Sequence, residues 1–148
     1  MTNADEHDEV HRPLGLNLLA GLYLFFFLVS ASTFGNPFPF LGKVYLGGAA
    51  KALVFVDSLL CLYLFIGIMK RQVLTWYFLL GYNLFEIVNT IVNLSCITRE
   101  ELEKVVDGKV HQEALLVNNI AAALAILLLS QFIYRHKHYF TNKGKYLF

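Results

Sequence analysis

The chain has 148 residues, of which 57% are hydrophobic and 16% are charged, and its formal net charge is +1. Ordinary soluble domains contain about 45–50% apolar and about 25% charged residues, so this composition excludes a typical water-soluble domain and indicates a membrane protein. Neither end of the chain has the pattern of a nucleic-acid-binding segment, and no nucleic-acid partner is expected.

Four long apolar runs follow one another along the chain. Because a hydrocarbon core of about 30 Å needs about 20 helical residues, each run is long enough to span a bilayer. The runs are continuous rather than alternating, which excludes the strands of a membrane barrel. We therefore predict an all-α, polytopic membrane protein whose single domain, residues 13–134, is a four-helix transmembrane bundle. The expected spans are residues 14–34, 44–69, 74–96 and 115–133.

The segments before and after the bundle differ in charge. Residues 1–12 begin with a cluster of acidic side chains and are expected to form a disordered tail. Residues 135–148 form a basic tail, which is suited to contact with anionic lipid headgroups. The first apolar run follows acidic residues and exceeds the core of a signal peptide, which has about 7–15 residues, so we expect a retained helix.

Lysine and arginine residues are distributed unevenly over the two sides of such a bundle. An excess of these residues marks the cytoplasmic side of a membrane protein. The excess lies on the side that carries both termini, so we expect both termini in the cytoplasm of a multi-pass protein in a prokaryotic inner or plasma membrane. That side carries Arg12, Lys70, Arg71, Arg135, Lys137, Lys143 and Lys145, and the other carries Lys43, Arg99, Lys104 and Lys109.

The two loops on the other side differ in their local signals. The first, residues 35–43, contains two prolines, which disfavour helix, and is expected to be a turn. In the second, Thr98 and Glu101 have the spacing of a capping box, and Gly108 suits a helix C-terminus. We therefore predict a short extramembrane helix at residues 99–107, lying over the outer mouth of the bundle.

Two carboxylic acids lie deep within the apolar runs. Asp57 is twelve residues from Met69 and Glu86 is twelve from Leu74, so an antiparallel hairpin places both about 18 Å above the cytoplasmic boundary. A charged residue at mid-membrane costs about 2.5–3.5 kcal/mol and usually faces a bundle interior or a water-filled cavity. We therefore expect Glu86 to lie in a sheltered site, and Asp57 to be protonated, paired with a polar group of another helix, or turned towards Glu86. If the two acids approach closely, they should share one proton or hold a cation between them.

A polar stripe surrounds Glu86, because residues three, four and seven positions apart lie on one helix face. We predict a polar vestibule that opens to the non-cytoplasmic side and ends at Glu86. The candidate ligand-binding or ion-binding residues are Glu86, Asp57, Tyr82, Asn83, Asn89, Asn93, Asn118 and Asn119. The alternative for the asparagines is a purely structural role, since interhelical hydrogen bonds also hold membrane helices together.

Other kinds of chemistry are not indicated. All five histidines lie outside the predicted spans, which excludes bis-histidine haem ligation within the membrane. No phosphate-binding loop, nucleophile elbow or HExxH motif occurs. Cys61 and Cys96 are too far apart in a helical hairpin for a disulfide, and they match no metal-binding motif. We expect neither a cofactor nor a metal.

Three functions are compatible with these features. The first is transport, channel activity or the binding of a proton, a cation or a small molecule from the non-cytoplasmic side; a continuous pore would require a homo-oligomer. The second is an accessory or assembly subunit of a larger membrane complex. The third is a lipid-linked or quinone-linked enzyme with Asp57 and Glu86 as acid and base. The first two are favoured, so a non-enzymatic protein is expected.

Overall fold

The computed structural model describes residues 12–146, and the disorder predicted for the acidic tail concerns residues of which all but Arg12 lie outside this range. The described part is mostly helical, with a small β-hairpin and a single turn of 3₁₀ helix near its end. The α-helices are α1 (Leu14–Ser32), α2 (Gly47–Met69), α3 (Val73–Cys96), α4 (Arg99–Val106) and α5 (Gln112–Arg135), and the strands are β1 (Phe38–Phe40) and β2 (Lys43–Tyr45).

Three of the helices, α1, α2 and α5, are long and apolar enough to cross a membrane. They contain 19, 23 and 24 residues, respectively. Helix α3 is as long as α5, with 24 residues, but it is not among these three candidate spans, and polar side chains interrupt its apolar run. The structure therefore shows three candidate spans and a fourth helix of spanning length that carries the polar residues.

The long helices pack as two pairs. Helix α1 lies along α2, α3 lies along α5, and α2 also contacts α3. Where α2 approaches α3, a Cβ atom on Gly67 would collide with the side chain of Thr75, so this contact requires glycine. Because lipid tails are as apolar as leucine, such close van der Waals packing is what holds membrane helices together. The core near this contact contains Leu16, Leu19, Tyr23, Leu64, Ile68, Trp76, Leu79 and Ile133.

One end of the bundle is closed by the C-terminal segment, which packs on the turn between α2 and α3. The backbone N–H of Asn142 donates to Arg71 O (2.9 Å), and Val73 N–H donates to Asn142 O (2.9 Å). Arg71 Nε donates to Tyr139 O (2.7 Å), and Arg12 donates to the last two carbonyls of α2. The segment predicted as a basic tail from residue 135 therefore contacts the α2–α3 turn through Tyr139 and Asn142, while residues 141–146 are exposed. Helix α5 itself extends to residue 135.

The opposite end carries the hairpin, in the loop for which only a turn was predicted. Strands β1 and β2 pair antiparallel with Phe40 opposite Lys43. The two linking residues, Leu41 and Gly42, both have positive φ, at 46° and 85°, as a type I′ turn requires. A Cβ atom on Gly42 would lie 2.8 Å from Cys96 Cβ at the end of α3. Glycine therefore serves two needs here, the left-handed conformation and the close approach to α3.

Helix α4 lies at the same end as the hairpin and begins with the predicted capping box. Glu101 N–H donates to Thr98 Oγ1 (3.3 Å), and Thr98 N–H donates to Glu101 Oε2 (3.0 Å). The helix ends at Asp107, whose φ is 53°, so Asp107 and not Gly108 supplies the left-handed cap; short polar residues tolerate this conformation. The pKa of Glu103 is lowered by hydrogen bonds from Arg99 and from Val110 N–H.

Candidate functional site

Asp57 and Glu86 line one partly open cavity of about 430 Å³, which we call the large cavity because it is the larger of the two that both acids line. All four long helices and the hairpin contribute to its wall, including Ser30 from α1, Ala125 from α5 and Phe38 from β1. Both carboxylic acids are half-buried. The equal depth that the sequence predicts for the two acids is thus accompanied by a shared cavity.

Asp57 is held by hydroxyl groups from two other helices. Its Oδ2 accepts a hydrogen bond from Ser30 Oγ of α1 (2.6 Å), and its Oδ1 accepts one from Tyr82 OH of α3 (2.8 Å). Ser30 Oγ also lies 3.1 Å from Ser58 Oγ. A carboxylate that accepts two hydroxyl hydrogen bonds is compensated for the water it has lost. Sequence reasoning did not include Ser30 among the site residues, because a single hydroxyl in an apolar run gives no distinctive signal.

Glu86 is the acid without such partners. It forms no hydrogen bond within residues 12–146, whereas Asp57 accepts two. Besides the large cavity, it lines one of about 270 Å³ and another of about 170 Å³. The smaller of these is also lined by Asp57. Glu86 therefore stands where the three cavities meet, with its carboxyl group available to a ligand.

The cavity of 270 Å³ lies towards the end of the bundle that carries the hairpin and α4. Its wall includes Phe38 and Pro39 of β1, Leu102 of α4 and Leu115 of α5, together with Glu86. Phe38 and Glu86 also line the large cavity. We call the cavity of 270 Å³ the outer cavity. Phe38 and Glu86 lie between it and the large cavity.

Asn89 and Asn93 fix the hairpin on top of the site. Asn89 Oδ1 accepts a hydrogen bond from Leu41 N–H (2.8 Å), and Asn93 Oδ1 accepts one from Gly42 N–H (2.7 Å). The two asparagines also line the outer cavity. Their amide oxygens thus form structural hydrogen bonds. The sequence suggested hydrogen bonds between helices as the structural alternative, but here the partner is the backbone of the hairpin and not another long helix.

Asn83 lies deeper in the bundle and lines the large cavity. It is only 2% exposed, and its Oδ1 accepts a hydrogen bond from Tyr23 OH of α1 (2.6 Å). Its Nδ2 is buried and has no acceptor among the described residues. Tyr23 is another contributor that the sequence analysis did not include among the site residues.

The asparagines of α5 differ from each other. Asn119 Nδ2 donates to Leu115 O of its own helix (2.8 Å), and the residue lines the outer cavity. Asn118 is exposed and lines none of these cavities. The structure therefore groups Asp57, Tyr82, Asn83 and Glu86 around the large cavity and places Asn89, Asn93 and Asn119 around the outer one, with Asn118 outside both.

In the part of the chain that the structure describes, the site combines a carboxyl group without a hydrogen-bond partner, Glu86, with one that accepts two hydrogen bonds, Asp57. Within residues 12–146, no three His, Cys, Asp or Glu side chains cluster as a metal site would require. No family model, curated protein or solved structure matches this chain. The functional argument therefore depends on the geometry of Asp57, Glu86 and their cavity.

Proposed function

We propose that this protein is a four-span membrane protein that binds a small monovalent cation between Asp57 and Glu86, as the binding step of transport. The observation that carries the proposal is the state of Glu86, a half-buried carboxyl group with no hydrogen-bond partner in residues 12–146. It faces the same cavity as Asp57, whose two oxygens are already engaged. A cation would supply the positive charge that two acids in a low-dielectric site require.

The proposed topology follows from the way the ends of the bundle are arranged. Arg12 and Asn142 both bond to the segment around the α2–α3 turn, so the first and last parts of the described chain lie at one end, as expected for four antiparallel spans. In this topology α3 is the fourth span, and its polar face is sheltered by α1, α2 and α5. The excess of lysine and arginine at that end supports a cytoplasmic position for both termini.

The size of the cavity supports a ligand larger than a proton. Binding sites for small molecules are usually clefts of about 300–1,000 Å³, and the large cavity has about 430 Å³. The outer cavity supports entry from the non-cytoplasmic side, because it leads towards Glu86 from beneath the hairpin and α4. Buried apolar side chains such as Leu64, Ile68 and Leu79 lie in the cytoplasmic half. The cavity of about 630 Å³ between α2 and α3 in that half is lined by no carboxylic acid.

The proposal is tested by the binding of radiolabelled methylammonium to purified protein in lipid nanodiscs. Wild type should bind the probe saturably, whereas Glu86→Gln and Asp57→Asn should each weaken binding at least about tenfold, as expected for the loss of a charged contact. Glu100→Gln, at an exposed acid of α4, serves as the matched control and should bind like wild type. No saturable binding in wild type, or equal binding in all four proteins, would contradict the proposal.

A flux measurement separates transport from binding alone. Proteoliposomes containing wild type should take up methylammonium faster than liposomes containing Glu86→Gln. If wild type binds the probe but produces no flux above that of the variant, the site is a binding site and the transport part of the proposal is wrong.

A second candidate function, that of an accessory subunit, is favoured by the exposure of α5. Only 6% of the most apolar 18-residue stretch of α5 is buried, compared with 33% of the corresponding stretch of α2. Val117, Leu124 and Leu128 are among its exposed apolar residues, and either lipid or another subunit could cover them. If α5 docks on a partner subunit, Leu124→Trp should dissociate a complex seen by native mass spectrometry while leaving methylammonium binding intact. If Leu124→Trp has the same mass as wild type, lipid and not another subunit covers this face of α5.

A further inference from the structure

The amide of Asn83 is an unsatisfied donor beside the proposed cation site. Asn83 is 2% exposed, and its Nδ2 has no acceptor among the described residues. The orientation of the amide is set by Tyr23, because a fully buried phenol needs an acceptor for its proton and Asn83 Oδ1 accepts it at 2.6 Å. Nδ2 is therefore the atom of this side chain that is left without a partner.

Buried donors are almost always hydrogen-bonded in folded proteins, so an exception calls for a missing acceptor. Asn83 lines the large cavity, which is the space from which an acceptor can reach it. A bare metal cation cannot serve, because it repels an N–H donor. An oxygen atom of the ligand would supply this acceptor.

The two kinds of recognition lie on one face of α3. Asn83 and Glu86 are three residues apart, and residues at this spacing are neighbours on a helix surface, with Cβ atoms about 5–6 Å apart. The same cavity therefore offers a negative charge for a cationic nitrogen and, one turn away, a donor for an oxygen. Phe26 and Phe38 line the wall as well and can contact carbon atoms between the two polar groups.

We propose that the ligand of this cavity is a small organic ammonium ion that also carries a hydrogen-bond-accepting oxygen, with amino alcohols as the simplest class. This inference rests on the proposed function, because Asp57 and Glu86 bind the ammonium group. In addition, it makes Asn83 the residue that determines selectivity for an ammonium ion with an oxygen acceptor over one without.

Ethanolamine and ethylamine form the matched pair of probes, since they differ only in a hydroxyl group. Each is used to displace radiolabelled methylammonium from the protein in nanodiscs. Wild type should bind ethanolamine about tenfold more tightly than ethylamine, as expected for one additional buried hydrogen bond. Asn83→Leu, which keeps the size of the side chain but lacks the donor, should bind both amines with similar affinity. Asn17→Leu, at an exposed position of α1, is the control and should keep the preference.

A second variant covers the case in which Asn83→Leu fails to fold. Tyr23→Phe removes the hydroxyl that orients the amide, so the side chain becomes free to rotate and the preference for ethanolamine should fall. Equal affinity of wild type for both amines would overturn this inference while leaving the cation site intact. A preference that survives in both variants would also overturn it, because Asn83 would not be the recognising group. If wild type binds neither the probe nor the amines, the proposed function itself fails.

Discussion

Replacement of Gly42 by alanine is expected to detach the hairpin from α3. The glycine has a φ of 85°, and its N–H donates to Asn93 Oδ1 at 2.7 Å. An added Cβ would lie 2.8 Å from Cys96 Cβ, closer than van der Waals contact allows. Because Cys96 Cβ is attached directly to the helix backbone, rotation of the cysteine side chain cannot relieve the overlap. The hairpin must move, and the hydrogen bond to Asn93 is lost.

The expected cost has two parts. A non-glycine residue in the left-handed region costs about 1–2 kcal/mol, and a lost hydrogen bond within a membrane protein costs about 0.6–1.7 kcal/mol. Gly35 provides the matched control, since it has a φ of 92° but nothing within 4 Å of an added Cβ. Gly35→Ala should therefore show only the first part, so Gly42→Ala should be the more destabilised of the two by the second part, about 0.6–1.7 kcal/mol.

Unfolding by sodium dodecyl sulfate in mixed micelles, followed by the fluorescence of the single tryptophan, Trp76, measures both free energies. A double-mutant cycle identifies the lost bond: Asn93→Ala should destabilise wild type but should have little further effect in the Gly42→Ala background. Equal losses in Gly42→Ala and Gly35→Ala, or additive effects of Gly42→Ala and Asn93→Ala, would refute the contact between hairpin and α3.

Three further predictions concern other parts of the molecule. Tyr82→Phe removes a hydroxyl that donates to Asp57, so it should cost about 0.6–1.7 kcal/mol of unfolding free energy, and a double-mutant cycle with Asp57→Ala that shows no coupling would contradict this. Because hydrogen bonds lower the pKa of Glu103, these bonds are fully formed above the ordinary glutamate pKa of 4.5 and are lost as pH falls through the lower pKa of the folded state. The NMR shift of the Val110 amide, which donates to Glu103, should therefore titrate with a midpoint below 4.5. A midpoint at or above that value would be inconsistent with the bonds. A membrane-impermeant maleimide added to intact cells should label the exposed Cys96, which lies beside the hairpin at Gly42; labelling only after permeabilisation would reverse the proposed orientation.

Local features of the structure follow directly from the sequence. The capping box at Thr98 and Glu101 is present as predicted, because its hydrogen bonds join residues three positions apart. The long helices occupy the apolar runs, because length and continuous hydrophobicity are local properties. The hairpin was not predicted because its turn lacks the usual local signal. No Asn-Gly or Asp-Gly pair marks the turn, and Leu41 in a left-handed conformation is unusual.

The sequence by itself determined where the long helices lie, and it predicts equal depths for Asp57 and Glu86, because the rise per residue of a helix is constant. Only the tertiary structure decided which groups surround them. The rotation of each helix is set by packing with its neighbours, and the bonds that define the site join distant residues, such as Ser30 to Asp57 and Tyr23 to Asn83. The same rotation separates Asn118 from Asn119, although the two are adjacent in the chain. Local patterns cannot specify such contacts, since each depends on how two separate helices meet.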